Sequence, residues 1–107
     1  MTRISMSWRT LELTAEGHAN SAPKGEDLVC CAISTITTTL ANYLLNMKGA
    51  RAEAVMTDGA CRIRAKPLPG WRRRTINAYK QAMMGLEQLA DQYPEYVSIR
   101  EGWTWRF

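Results

Sequence analysis

Ligands for a structural metal centre are missing from this chain. Its 107 residues include one histidine and three cysteines, whereas a structural zinc site draws on about four such ligands, commonly in CxxC spacing. The cysteines here do not have that spacing, and the adjacent Cys30 and Cys31 are poor joint ligands. No metal and no other cofactor is expected. A disulfide framework is disfavoured by the odd cysteine count and by the opening MTRISMSWRT, which lacks the apolar block of an export signal. The segment reads as mature sequence, and the setting as a reducing cytoplasm with free thiols. Apolar runs fall short of the roughly 20 residues that span a bilayer, so no membrane partner is expected. Internal repeats and low-complexity tracts are also absent.

What is present is an ordinary globular composition, 46% hydrophobic and 22% charged, which argues against disorder. The length suits a single domain over residues 1–107 with one core. The net charge of +4 owes much to two basic patches, Arg62, Arg64 and Lys66, then Arg72, Arg73 and Arg74. Such patches permit a nucleic-acid partner, although short charge runs are more often solvated faces.

Alternation through Ile4, Met6 and Trp8, then Leu11 and Leu13, predicts strand with a turn or bulge near Arg9-Thr10. A loop follows to about Asp27, with Gly17, Pro23 and Gly25 as breakers. The run ISTITTT favours strand on propensity, but Val29, Ile33, Ile36, Leu40, Leu44 and Met47 recur at helical spacing. Spacing predicts a helix from Leu28 to Met47 with Asp27 as its N-cap. Arg51 to Met56 and Ala60 to Ala65 alternate around Asp58-Gly59, a strong hairpin signal. Thr75 to Tyr93 reads as a second helix, with Ile76, Tyr79, Met83, Leu86, Ala90 and Tyr93 on one stripe, stopped by Pro94. A last strand begins at Val97, and Trp103, Trp105 and Phe107 alternate after it, suited to core packing, substrate contact or a dimer interface. The order predicts an α+β fold, an antiparallel sheet with two helices packed on one face.

Chemistry concentrates in GHANSAPKGEDLVCCAIS, residues 17–34. With Asp27 as cap, Cys30 falls in the first helical turn, where free N–H groups and the dipole favour a thiolate. His18, across the loop, can fold back over that helix end to make an activated Cys–His pair. Ser34 lies one turn beyond Cys30 on the same side. Cys31 points about 100° away and reads as a semi-buried packing residue, and Cys61 as a small hydrophobe on the inner face of a strand. Asp27 either caps the helix or orients His18, with capping favoured because its charge opposes a thiolate.

The pattern Gly17-His18-Ala19, Gly25, Asp27, Val29-Cys30, Ala32 and Ser34 resembles the signature of the bacterial ribosomal-processing cysteine proteases, the Prp family. The order of elements and the Asp58-Gly59 hairpin extend the resemblance over nearly the whole chain. It implies a small homodimeric α+β enzyme that removes a short N-terminal extension from a precursor protein. That precursor is the twenty-seventh large-subunit ribosomal protein or, for phage relatives, a capsid or scaffold protein. By the same resemblance Cys30 is the nucleophile and His18 the general base. Asp27 and Ser34 take supporting roles, and Gly17 and Gly25 flank a loop that orders around substrate. Cys31 departs from the family pattern, where Ala or Gly is usual, and so does the aromatic tail WTWRF. The competing class is a basic RNA- or ribosome-binding module without catalysis.

Overall fold

The computed structural model describes residues 1–17 and 24–102. Five strands and two long helices follow one another as β1 (Thr2–Ser7), β2 (Glu12–Glu16), α1 (Lys24–Leu45), β3 (Ala52–Thr57), β4 (Ala60–Ala65), α2 (Arg72–Gln92) and β5 (Val97–Gly102). Short 3-10 turns at Lys48–Ala50 and Pro69–Trp71 lead out of α1 and into α2. The expected α+β class holds, with the helices against the inner face of the sheet.

The parity slip after Trp8 is resolved at Leu11, whose φ of 51° puts an L-residue in the left-handed region at a cost of about 1–2 kcal/mol. Leu11 is 1% exposed, and burying its side chain offsets that cost. The turn keeps Ile4 opposite Ala15 and Met6 opposite Leu13, so both strands present their apolar residues to one side. Asp58-Gly59 closes the β3–β4 hairpin, with Thr57 opposite Ala60 and the required positive φ, 83°, falling on Gly59.

The sheet order is β3-β4-β2-β1-β5. Three strand pairs are antiparallel as expected, but β5 lies parallel to β1. Helix α2 is the reason. It carries the chain from the end of β4 back to the end where β4 began, so β5 repeats the direction of β4, which β1 shares.

The predicted stripes form the core. Val29, Ile33, Leu40, Leu44 and Met47 from the α1 side and Tyr79, Met83 and Leu86 from α2 pack on Ile4, Met6, Leu13 and Ile63. Ile36 is only partly buried against this core, and Tyr93 is 38% exposed where α2 ends. The Tyr79 hydroxyl donates to the Ile63 carbonyl at 3.3 Å, and burial, aided by the charge of Glu12, holds this phenol firmly protonated.

Two expectations change. Helix α1 opens at Lys24, so Asp27 stands inside its first turn and not at the N-cap. The window Leu28–Leu45 contains no charged residue and is long and apolar enough to cross a membrane by length and composition. Its Val29, Ile33, Leu40 and Leu44 are spent on the sheet, and a core helix passes the same test.

Candidate active site

Strand direction brings four chain segments to one end of the sheet: the start of β1, the end of β2, the N-terminal half of α1 and the Asp58-Gly59 turn. Between them opens a cleft of about 330 Å³ lined by Thr2, Gly17, Cys30, Ser34, Gly59 and Cys61, among others. Its size is at the low end for a ligand pocket. A larger groove of about 530 Å³ runs between α1 and α2, but its lining, which includes Ile36, Tyr43, Ala78 and Gly85, holds no cysteine, histidine or carboxylate. The smaller cleft is therefore the one with chemistry.

Gly17 ends the described part of the β2 side. Its N–H donates to the Gly59 carbonyl at 2.9 Å, extending the β2–β4 ladder by one step. Its φ is 106°, and a Cβ there would meet the Met1 carbonyl oxygen, so glycine is required on two counts. His18 lies outside the described residues. Gly17, the residue bonded to it, is held at the mouth of the cleft.

Cys30 sits in the second turn of α1, not the first, because the helix begins at Lys24. The unpaired N–H groups of the helix belong to its first turn, about 5.4 Å back along the axis, and the dipole's effect is confined to that turn. Helix position alone is thus a weaker source of thiolate stabilisation than the sequence pattern implied. A closer group is present: the Thr2 hydroxyl oxygen is 3.8 Å from Cys30 Sγ. Cys30 is half-buried, and Ser34 lines the same cleft one turn on. Gly25 and Asp27 are placed by the backbone in the first turn of α1.

Cys31 is exposed, which corrects the expectation of a semi-buried packing residue. On α1 the buried stripe runs through Val29 and Ile33, and Cys31 falls beside it toward solvent. Cys61 faces inward as expected, but the inner face near the hairpin turn opens into the cleft, so this thiol lines the site. Burial pushes the Cys61 thiol up, against the opposing influence of the Thr37 side chain and the Ala15 backbone. A raised thiol of this kind stays neutral and poorly nucleophilic near neutral pH. Among the described residues no three His, Cys, Asp or Glu side chains converge as a metal site.

A half-buried cysteine on a helix, opening to a cleft whose rim leads into the one histidine, is an arrangement suited to acyl transfer. Residues 1–98 match the family described as cysteine protease Prp. The chain belongs to the Prp family of cysteine proteases. The ribosomal processing cysteine protease Prp of Mycoplasma pneumoniae is 30% identical over 90 residues, 84% of this chain and 86% of that protein. A crystal structure of the essential ribosomal processing protease Prp from S. aureus, in complex with a substrate peptide, superposes with a TM-score of 0.77 at 17% identity. It covers 95% of this chain and 100% of that one. The structure of SMU.848 from Streptococcus mutans gives a TM-score of 0.71 at 23% identity over 94% of this chain and 90% of that one. These likenesses at low identity establish that the mixed sheet with two helices is the Prp fold.

Two arginines of the first basic patch read differently once this Prp chain is folded. Arg62 pairs with Glu12 at 3.4 Å and Arg64 with Glu53 at 3.1 Å, so the outer face of β4 is compensated by its neighbours.

Proposed function

We propose that the chain is a cysteine endopeptidase in which Cys30 is the nucleophile and His18 the general base. The supporting observation is the half-buried Cys30 sulfur opening to a cleft whose rim, Gly17, leads directly into His18. The Cys30 thiolate attacks the scissile carbonyl carbon after His18 takes the thiol proton. His18 returns that proton to the departing amine as the C–N bond breaks, leaving a thioester on Cys30. Water, deprotonated by the same imidazole, hydrolyses the thioester and restores the thiol.

The substrate is the N-terminal extension of a precursor protein. A relative named for ribosomal processing and a fold-mate named with a bound substrate peptide favour a ribosomal precursor, the twenty-seventh large-subunit protein, over a phage capsid or scaffold precursor. The enzyme works as a homodimer in the cytoplasm, with Asp27, Ser34, Gly17 and Gly25 supporting the site. The basic-module reading loses ground because Arg62 and Arg64 are already paired with carboxylates.

The test is incubation of wild type, Cys30→Ser and Cys30→Ala with both precursors, followed by mass spectrometry of the products. Wild type should cleave and both variants should not. Equal processing by wild type and Cys30→Ala would remove Cys30 from the mechanism. Iodoacetamide at about pH 6, where labelling follows thiolate fraction more than exposure, should modify Cys30 before the exposed Cys31 and before Cys61. Cys31 labelling first would overturn the choice between the adjacent thiols.

A further inference from the structure

Thr2 is a polar side chain only 5% exposed at the edge of a reactive cleft. Its position is set by the sheet. The Thr2 N–H donates to the Tyr96 carbonyl at 2.8 Å, and the residue registers with Val97 of β5. From there its hydroxyl oxygen reaches two groups, the Gly17 carbonyl at 3.5 Å and Cys30 Sγ at 3.8 Å.

A threonine hydroxyl has one proton to give and can accept as well. A neutral Cys30 thiol can donate its S–H to Thr2 Oγ1 while the Thr2 O–H donates to the Gly17 carbonyl. Once the thiol proton has left, the sulfur only accepts. The Thr2 O–H then turns to the sulfur, since a hydrogen bond to a charged acceptor is the stronger of the two. The exchange needs one O–H rotation and no movement of a heavy atom. It also frees the carbonyl of Gly17, in the peptide that leads into His18.

We propose that Thr2 is a positioning residue for the Cys30 nucleophile, its hydroxyl holding the thiolate in the cleft and releasing the Gly17 carbonyl as it does so. This rests on the reading of Cys30 as nucleophile. The sheet fixes where the Thr2 side chain starts, and β-branching leaves it few χ1 choices from there.

The experiment measures iodoacetamide labelling of Cys30 against pH in the folded protein, with kcat and KM for precursor cleavage, for wild type, Thr2→Val and Thr2→Ser. Valine keeps the shape and removes the hydroxyl; serine keeps the hydroxyl. Thr2→Val should displace the labelling profile upward, with Cys30 labelled about tenfold more slowly than in wild type in mildly acidic buffer. Its kcat should fall with KM held, and Thr2→Ser should restore both the profile and kcat. A Thr2→Val profile identical to wild type would overturn the role. If circular dichroism shows Thr2→Val unfolded, Thr2→Ala makes the same comparison with less bulk. An unchanged Thr2→Val profile beside an inactive Cys30→Ala would sink this role alone, while an active Cys30→Ala would sink the nucleophile assignment itself.

Discussion

Replacing Gly49 with alanine sets two effects of known sign against each other. Gly49 lies in the 3-10 turn after α1 and is buried, and its backbone does not require positive φ. On conformational entropy alone Gly49→Ala would stabilise the fold by about 0.4–1 kcal/mol, by restricting the unfolded chain. The structure opposes this. A Cβ on Gly49 would fall on the indole ring of Trp71. Arg74 also holds that ring, its guanidinium carbon lying 5.0 Å from the ring centroid. The Gly49 carbonyl also accepts from the Leu68 N–H at 2.8 Å, so the two 3-10 turns cannot easily part. Overpacking of this kind costs about 1–3 kcal/mol, so the net change should be a loss of up to about 2.5 kcal/mol, a sizeable share of the roughly 5–15 kcal/mol typical of a domain. Urea denaturation should show this as a lower midpoint at unchanged slope. The decisive comparison repeats the substitution in a Trp71→Ala background. With the ring gone only the entropic term remains, and Gly49→Ala should become stabilising. If Gly49→Ala costs the same in both backgrounds, or costs nothing beside an intact Trp71, the ring is not the obstacle and the reasoning fails.

Two further outcomes are expected. The Glu87 carboxyl is raised, first by a hydrogen bond with Glu101 and then by burial and by the charges of Glu101 and Asp91. The folded-state value lies above the unfolded one, so its contribution to stability is complete below the ordinary carboxylate range and is lost as pH rises through the folded value. Glu87→Gln keeps a donor for Glu101 at every pH, so it should melt above wild type at neutral pH and converge with it in acid; a constant difference in Tm would refute the pairing. Gly17→Ala forces a side chain into a φ of 106° against the Met1 carbonyl, at a cost of about 1–3 kcal/mol. It should lower the urea midpoint and slow precursor cleavage, and unchanged values of both would show that the Gly17 backbone is not strained as described.

Much of the fold was legible because its signals are local. Asp58-Gly59 marked its hairpin through turn chemistry, and the Val29-to-Met47 stripe outvoted the β-branched threonines because burying one helical face outweighs intrinsic propensity. What escaped depends on distant residues. No local pattern says that β5 will lie beside β1, since that follows from where α2 delivers the chain. The start of α1 escaped because Lys24–Asp27 carries no apolar periodicity, so the helix was dated from its first core residue. The same limit decided the site. Cys30 and its spacing from His18 were visible along the chain, and the family pattern gave them roles. Thr2 and Cys61 carried no signal, being an ordinary strand residue and an inward strand cysteine until the sheet register placed both at the cleft. Cys31 was misjudged because a position next to a buried stripe can face either way until the helix has a sheet to lie on.

The pairing of β5 with β1 has a consequence in time. Thr2 is synthesised well before the Tyr96 carbonyl that receives its N–H and the Val97 that registers with it. A chain still emerging from the ribosome can carry Cys30 on a formed helix while the wall beside that sulfur has no outer neighbour to hold it. The β1 wall of the cleft therefore gains its outer neighbour only after β5 has been made and has docked beside β1.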